Sequence, residues 1–168
     1  MIESGCLETE RLIVRPFEEA DADRLVAIFA DRDVARHVGE GEPLERDEAE
    51  LWVRNSRANL RRFGFGTGAV VERASGRVIG WAGFARPPGE PCEIVYGLEK
   101  GAWGRGYGRE LLAALIDFAA ARGIDPLRAT VHPDNAASIR LLARAGFRLA
   151  DADYGGDGTL LYVRTAST

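Results

Sequence analysis

The sequence predicts a mixed α/β domain of the α+β type, with a mostly antiparallel sheet and one right-handed β-α-β crossover. Three observations predict it. Apolar residues switch repeatedly between the period of a strand and that of a helix, in the order β-α-α-β-β-β-α-β-α-β-β. Two apolar runs flank the turn Ala74-Ser75-Gly76, as in a short β-hairpin. The stretch from Cys92 to Arg122 reads as a strand, a glycine-dense turn and an amphipathic helix, the unit that makes a crossover. At 168 residues, 46% of them hydrophobic, the chain suits one domain spanning 1–168 with a substantial core.

The first strand is expected over Glu10–Phe17, where Leu12 and Val14 alternate with Arg11 and Arg15 until Pro16 intervenes. Glu19–Ala30 spaces Ala22, Leu25, Val26 and Phe29 as one helical face, with acidic residues in its first turn. Asp31–Pro43 reads as loop and carries His37. A second helix over Asp47–Phe63 has Glu48 and Glu50 early and Arg54, Arg57, Arg61 and Arg62 late, as the helix dipole favours. Its arginine stripe reads as a solvated face or a contact for an anion. Strands at Gly68–Glu72 and Arg77–Phe84 follow, then the loop Arg86–Pro91, whose prolines bar a strand or helix interior. The central strand is Ile94–Leu98, the turn Gly101–Gly108, and the helix Gly108–Arg122, stopped by Gly123. Leu127–Val131 is a buried strand. Pro133-Asp134-Asn135 opens a short helix with Ile139 and Leu142 toward the core and Gly146 at its exit. Phe147–Leu149 and Thr159–Arg164 close the sheet around a flexible loop, Asp151–Gly158.

The formal charge of -4, from 22 basic and 26 acidic residues, argues against a general nucleic-acid or membrane-surface binder. No signal sequence and no apolar run near the length of a membrane span are present, and Cys6 and Cys92 suit free thiols, so a cytoplasmic setting is expected. No His, Cys and carboxylate cluster has metal-ligand spacing, so no metal is expected.

The glycine turn has the makings of a phosphate site, because a strand–turn–helix aims backbone N–H groups and a positive helix end at one spot. Gly104, Gly106 and Gly108 alternate with Arg105, Tyr107 and Arg109; missing β-carbons allow close approach and positive φ. An ordinary glycine-rich turn remains the alternative. A Walker loop is excluded, since no Gly-Lys-Ser/Thr occurs. A dinucleotide fingerprint fails too: Arg109 or Leu111 stands where its third glycine belongs, and no acidic residue ends the next strand.

Three segments together, ETERLIVRPF, EIVYGLEKGAWGRGYGREL and VHPDNAASIRLLARAGF, resemble the GNAT N-acetyltransferase superfamily, in particular the Rim-type ribosomal-protein N-terminal acetyltransferases. The likeness covers nearly the whole chain. It departs at Trp103, where the superfamily loop usually begins with Gln or Arg, although many Rim-type sequences carry an aromatic there. The resemblance implies a GNAT fold and acetyl-CoA as cofactor. Its diphosphate would be held by Gly104, Gly106, Gly108 and the amides from Arg105 through Tyr107 to Arg109, beside Trp103. Tyr96, Gly97 and Leu98 would pair with the pantetheine arm like an added strand, the Leu98 amide facing the thioester carbonyl. Asn135 and Ser138 would lie near the sulfur end; from the residues alone Asn135 is a plain N-cap and Ser138 a surface hydroxyl.

Acetyl transfer to an amine needs a neutral amine, a polarised carbonyl and a tolerable leaving group. A thiol with pKa near ~8.5 leaves at neutral pH with little help. Many GNAT enzymes place a Tyr where this chain has Leu142, so the usual general acid is absent; Tyr96, Tyr107, Tyr154, Tyr162 or solvent could replace it. Glu93, at the head of the central strand, is the favoured base through a water, with an edge-strand carboxylate paired to an Arg as the alternative. Ser138 joins Glu93 among the catalytic candidates. His37 is a weaker base, and His132 reads as structural. Trp52, Phe63 and Trp81 suit either the core or the wall of an acceptor cleft. Deprotonating an α-amine at pH 7 costs roughly 1 kcal/mol and a lysine ε-amine roughly 4–5, which favours a protein or peptide N-terminus as acceptor. A small-molecule amine (aminoglycoside, polyamine or amino acid) and a non-catalytic acyl-CoA sensor remain alternatives, as do monomer and homodimer.

Overall fold

The computed structural model describes residues 6–86 and 89–166. An eight-stranded sheet runs in the order β1-β2-β3-β4-β5-β6-β8-β7. Its strands are β1 (Leu7–Glu8), β2 (Leu12–Pro16), β3 (Thr67–Glu72), β4 (Val78–Ala85), β5 (Glu93–Leu98), β6 (Leu127–Val131), β7 (Arg148–Tyr154) and β8 (Thr159–Arg164). The helices are α1 (Asp21–Phe29), α2 (Arg32–Ala35), α3 (Arg46–Phe63), α4 (Tyr107–Ala121) and α5 (Ala136–Arg144). Every neighbouring pair is antiparallel except β5 with β6, as the crossover through α4 requires.

Alternation along the strands sends side chains to two cores. Val70, Ala82, Phe84 and Ile94 pack with Leu111, Leu112 and Leu115 of α4 and Leu142 of α5. Ala69 and Trp81 pack with Leu25, Ile28 and Phe29 of α1 and Val53 of α3. A bulge places Ile79 between the register pairs Val70↔Gly80 and Val71↔Val78. The extra residue moves Ile79 to the α4 face although Trp81, two residues on, faces α1.

Helix ends follow the sequence signals. The buried Asp21 carboxylate accepts from both Arg15 guanidinium nitrogens (2.7 and 3.1 Å) and from the Glu18 amide, joining β2 to the start of α1. Glu45 and Glu48 form a capping box on α3, and Gly64 ends it at φ 77°.

Several expectations need correction. Asp31–Pro43 is not all loop: Asp31 accepts from the Asp33 amide and caps α2. The closing loop Asp151–Gly158 is strand as far as Tyr154, because β7 tolerates register shifts at Asp151 and Tyr154 while pairing with β8. Its residues are almost all exposed, so no alternating pattern marked them as strand. β1, two residues long, had no pattern to read. Of the loop Arg86–Pro91, Pro87 and Pro88 lie outside the described residues.

Gly97 is glycine for a packing reason. A Cβ there would lie 2.1 Å from the Trp81 ring, which stacks on Phe29 at 4.7 Å between centroids. Gly97→Ala should therefore cost about 1–3 kcal/mol through overpacking. Urea unfolding read by tryptophan fluorescence checks this; an unchanged midpoint would refute it.

Candidate active site

The site is built where the sheet splits. β5 and β6 share one register pair, Glu93↔Arg128, and separate beyond it. On the other side β5 stays paired with β4 to Leu98, and the Glu99 amide donates to the Ile79 carbonyl at 2.7 Å. Because backbone groups alternate sides along a strand, the amides of Tyr96 and Leu98 point into the gap. The Leu98 carbonyl, also turned that way, accepts from Trp103 Nε1 at 2.9 Å.

Beyond Leu98 a single 3-10 turn, Lys100–Ala102, leads to the glycine turn. Gly104 and Gly106 have φ of 72° and 80°, conformations costly to any residue with a Cβ. Among the described residues, the amides of Gly104 through Arg109 donate to no protein acceptor. Three of them open α4, whose dipole reinforces their positive end. Side chains fasten this loop from behind. Glu72 accepts from Tyr107 Oη at 2.7 Å and from Ser75 Oγ at 2.7 Å, and pairs with Arg105 Nη1 at 2.9 Å. The Ser75 and Tyr107 hydrogen bonds, opposed in part by desolvation and aided by Arg105, hold the Glu72 carboxyl below its ordinary value. Arg11 donates to Glu110 and to the Arg105 carbonyl, both at 2.8 Å, and lies over the Tyr107 ring. So the side chains of Arg105 and Tyr107 face away from the open amides.

A cleft of about 820 Å³ joins loop and gap. It is lined by Tyr96, Gly97, Leu98, Trp103, Gly104, Gly106, Tyr107, Gly108, Arg109, Asn135 and Ser138, all of them sequence candidates. Asn135 Oδ1 caps α5 by accepting from the Ser138 amide at 3.2 Å. Ser138 Oγ lies 2.9 Å from Tyr96 Oη. Burial pushes the Tyr96 hydroxyl pKa up, and the Ser138 contact opposes the rise. Of the other tyrosines, Tyr107 is committed to Glu72, Tyr162 is buried between its strand neighbours, and Tyr154 lies under Arg128.

Glu93 lines a separate cavity of about 310 Å³ with Glu90, Thr130, Tyr154 and Asp157. Thr130 borders both cavities and donates to Glu93 Oε2 at 3.4 Å. β5 is central, so Glu93 is no edge-strand carboxylate, and the nearby Arg128 pairs with Glu90 instead. Burial pushes the Glu93 carboxyl up, against the pull of Arg128 and Thr130. His37 lines the large cleft, its ring 6.0 Å from that of His132. Burial, then Arg36 and His132, push the His37 pKa down. Trp81 borders the cleft while stacked in the core; Trp52 packs among Phe17, Phe29 and Trp81, and Phe63 lies under Arg86. Sequence reading passed over Thr130, Arg140 and Arg144, although the four-residue spacing of the two arginines on α5 was a visible signal.

The acetyltransferase (GNAT) domain family matches residues 11–148. The chain belongs to the GNAT acetyltransferase family. The family match makes it an acetyltransferase. It is 31% identical over 146 residues to an uncharacterized N-acetyltransferase, YoaA, of Bacillus subtilis, covering 84% of this chain and 82% of that one. An acetyltransferase from Agrobacterium tumefaciens superposes with a TM-score of 0.82 at 28% identity, over 96% of this chain and 94% of its own. RimL, a ribosomal L7/L12 α-N-protein acetyltransferase solved with coenzyme A, shares the fold at a TM-score of 0.78 and 19% identity, over 95% and 97% of the two chains. GNAT acetyltransferases use acetyl-CoA, and the residues here fit it: free amides precede a helix for a diphosphate, and strand-edge amides face the gap for an amide-bearing arm.

Burial of Glu93 has a thermodynamic sign. A carboxyl raised above its ordinary 4.5 binds its proton more tightly folded than unfolded, so its stabilising contribution is complete below that value and lost as pH rises through the folded pKa. Glu93→Gln should therefore raise Tm at neutral pH, with the gain closing as pH falls toward 4.5. Thermal melts across that range check it; a gain that does not depend on pH would refute it.

Proposed function

We propose that this GNAT enzyme transfers acetyl from acetyl-CoA to a primary amine, with a protein or peptide N-terminal α-amine as acceptor. The observation that carries the reading is the continuous cleft from the unpaired amides of Gly104–Arg109 to the β5–β6 gap. When bound, acetyl-CoA supplies a thioester, whose carbonyl carbon is the electrophile and whose thiolate leaves.

The chain's own groups have distinct parts in this reading. The loop amides bind the diphosphate through neutral donors that carry no desolvation cost of a full charge. The Leu98 amide, fixed because its flanking groups bond to β4 and Trp103, donates to the carbonyl oxygen as negative charge grows there. The Tyr96–Ser138 hydroxyl pair holds a proton at the sulfur end, taking the place of the Tyr absent at Leu142. Glu93 takes the ammonium proton through a water beside Thr130, and its raised pKa makes it a stronger base than an exposed carboxylate. Ordering both reactants in one cleft supplies much of the acceleration.

The α-amine is favoured because it costs roughly 3–4 kcal/mol less to deprotonate at pH 7 than a lysine side chain, and no strong base lines the cleft. The fold shared with RimL is consistent with this acceptor. A small diamine is the second reading, favoured by the cavity of about 310 Å³ and its carboxylates Glu90, Glu93 and Asp157.

Thiol release from acetyl-CoA, measured over peptides with free and blocked N-termini and over polyamines, separates the two. Activity confined to free N-termini is expected; turnover of polyamines alone would overturn the peptide reading. Ser138→Ala and Tyr96→Phe should each lower kcat about tenfold while leaving KM for acetyl-CoA nearly unchanged, the modest size reflecting a good leaving group. Unaltered kcat in both would remove the pair from the reaction. Gly106→Val should weaken coenzyme A binding by more than about tenfold, at about 1–2 kcal/mol in stability from the left-handed φ. Calorimetric titration with coenzyme A reads the first quantity and urea unfolding the second; wild-type affinity in a folded variant would refute the loop assignment.

A further inference from the structure

The glycine turn has a choice of faces that its own residues do not make. A trans peptide points its carbonyl and the next N–H in opposite directions, and the Arg105–Gly106 bond is trans. Gly106 sits at φ 80°, but a glycine takes negative φ about as readily, so this peptide plane could present either its carbonyl or its amide to the cleft. Arg11 decides between them. Its Nη1 donates to the Arg105 carbonyl at 2.8 Å from behind the loop, and among the described residues that carbonyl accepts from no other donor. The Gly106 amide is thereby turned to the cleft, which Gly106 lines. The guanidinium is itself held on three sides. Nε donates to Glu110 Oε2 at 2.8 Å, the group lies 4.4 Å over the Tyr107 ring, and Nη2 stands 3.3 Å from where a Cβ on Gly106 would be. Glu110 in turn accepts from the Arg11 amide at 2.8 Å and from Thr9, and Tyr107 donates to Glu72 at 2.7 Å. A residue from the turn between β1 and β2 therefore sets the direction of a peptide 94 positions away.

We propose that Arg11 is a positioning residue for the coenzyme: it locks the Arg105–Gly106 peptide so that an amide, and not a carbonyl, meets the diphosphate. This rests on the coenzyme reading of the loop. The sign of the contact makes the lock matter. A flipped peptide would set the negative end of a carbonyl dipole against an anion, so only the locked orientation binds well. Apparent affinity scales with the fraction of molecules in the competent state, and a glycine-flanked peptide without its lock spreads over both orientations. Arginine suits the task because its planar fork reaches two acceptors at once, Glu110 through Nε and the carbonyl through Nη1. A lysine ammonium is a point charge, drawn to the Glu110 carboxylate at the carbonyl's expense. The guanidinium serves by direction and not by charge, since it touches the back of the loop and its charge is already matched by Glu110.

Calorimetric titration with coenzyme A of the wild type, Arg11→Met, Arg11→Lys and Thr9→Val tests this, with melting curves to show that each variant is folded. The Arg11 side chain is 43% exposed, so neither replacement opens the core. Arg11→Met, which keeps an apolar stem over Tyr107, should bind about tenfold more weakly, the loss expected when about a tenth of the molecules present the amide. Arg11→Lys should recover less than about twofold of that loss. Thr9→Val cuts a bond to Glu110 and leaves Arg11 in place; it should melt lower yet bind within about twofold of wild type. Wild-type affinity in Arg11→Met overturns the lock and leaves the loop assignment standing. Full recovery in Arg11→Lys overturns it in favour of simple charge. Equal weakening in Thr9→Val and Arg11→Met overturns it in favour of a general loosening of the turn. A wild type that does not bind coenzyme A overturns it together with the coenzyme reading.

Discussion

The structure depends on a parallel strand pair that stops pairing almost at once. β5 and β6 meet at Glu93 and Arg128 and then part. Buried backbone groups are ordinarily satisfied, so a strand in mid-sheet with amides facing an open gap must be held there by its other neighbours. β4 does this, running antiparallel to β5 as far as Leu98. The close fit of the Trp81 ring over Gly97 stiffens that side, and Trp103 secures the last carbonyl. The gap is therefore a rigid opening, and a ligand arm with its own amides can complete the pairing that β6 abandons.

The same division of labour governs the loop. Arg105 is turned backward onto Glu72, Arg11 braces Glu110 and the Arg105 carbonyl from behind, and the loop's amides are left facing the cleft. The anchor centres on the buried hydrogen bond from Tyr107 to Glu72; the exposed Arg105 adds a surface pair, which contributes little. A loop preorganised in this way need not be reordered when an anion arrives, and avoiding that cost favours affinity.

Two cavities meet at Thr130, one belonging to the loop and gap and the other to Glu93. This separation keeps a carboxylate away from anionic phosphates while leaving it one residue's width from the gap. In the proposed reaction it divides proton acceptance on the Glu93 side from proton donation by Tyr96 and Ser138.

Local chemistry determined much of this in the sequence. The glycines at 104, 106 and 108, the Asn135 cap and the two-period pattern of apolar residues each act within a few residues, so they could be read directly. The amides left open by the glycine turn follow from that pattern too. Other features required the tertiary structure. That the hydroxyl of Tyr96 meets Ser138 depends on α5 crossing β5 from 42 residues away. That Arg105 turns from the cleft depends on Glu72, two strands removed, being better placed to pair with it than solvent. That His37 reaches the cleft depends on α2, a turn too short for periodicity to reveal. β7 was misread for a related reason: an exposed edge strand has no buried face, so its pairing leaves no trace in hydrophobicity. The sequence by itself determined the family-bearing backbone shapes, because they are set by sterics and short-range hydrogen bonds. Only the tertiary structure decided which side chains share the cleft, because that depends on contacts between segments far apart in the chain.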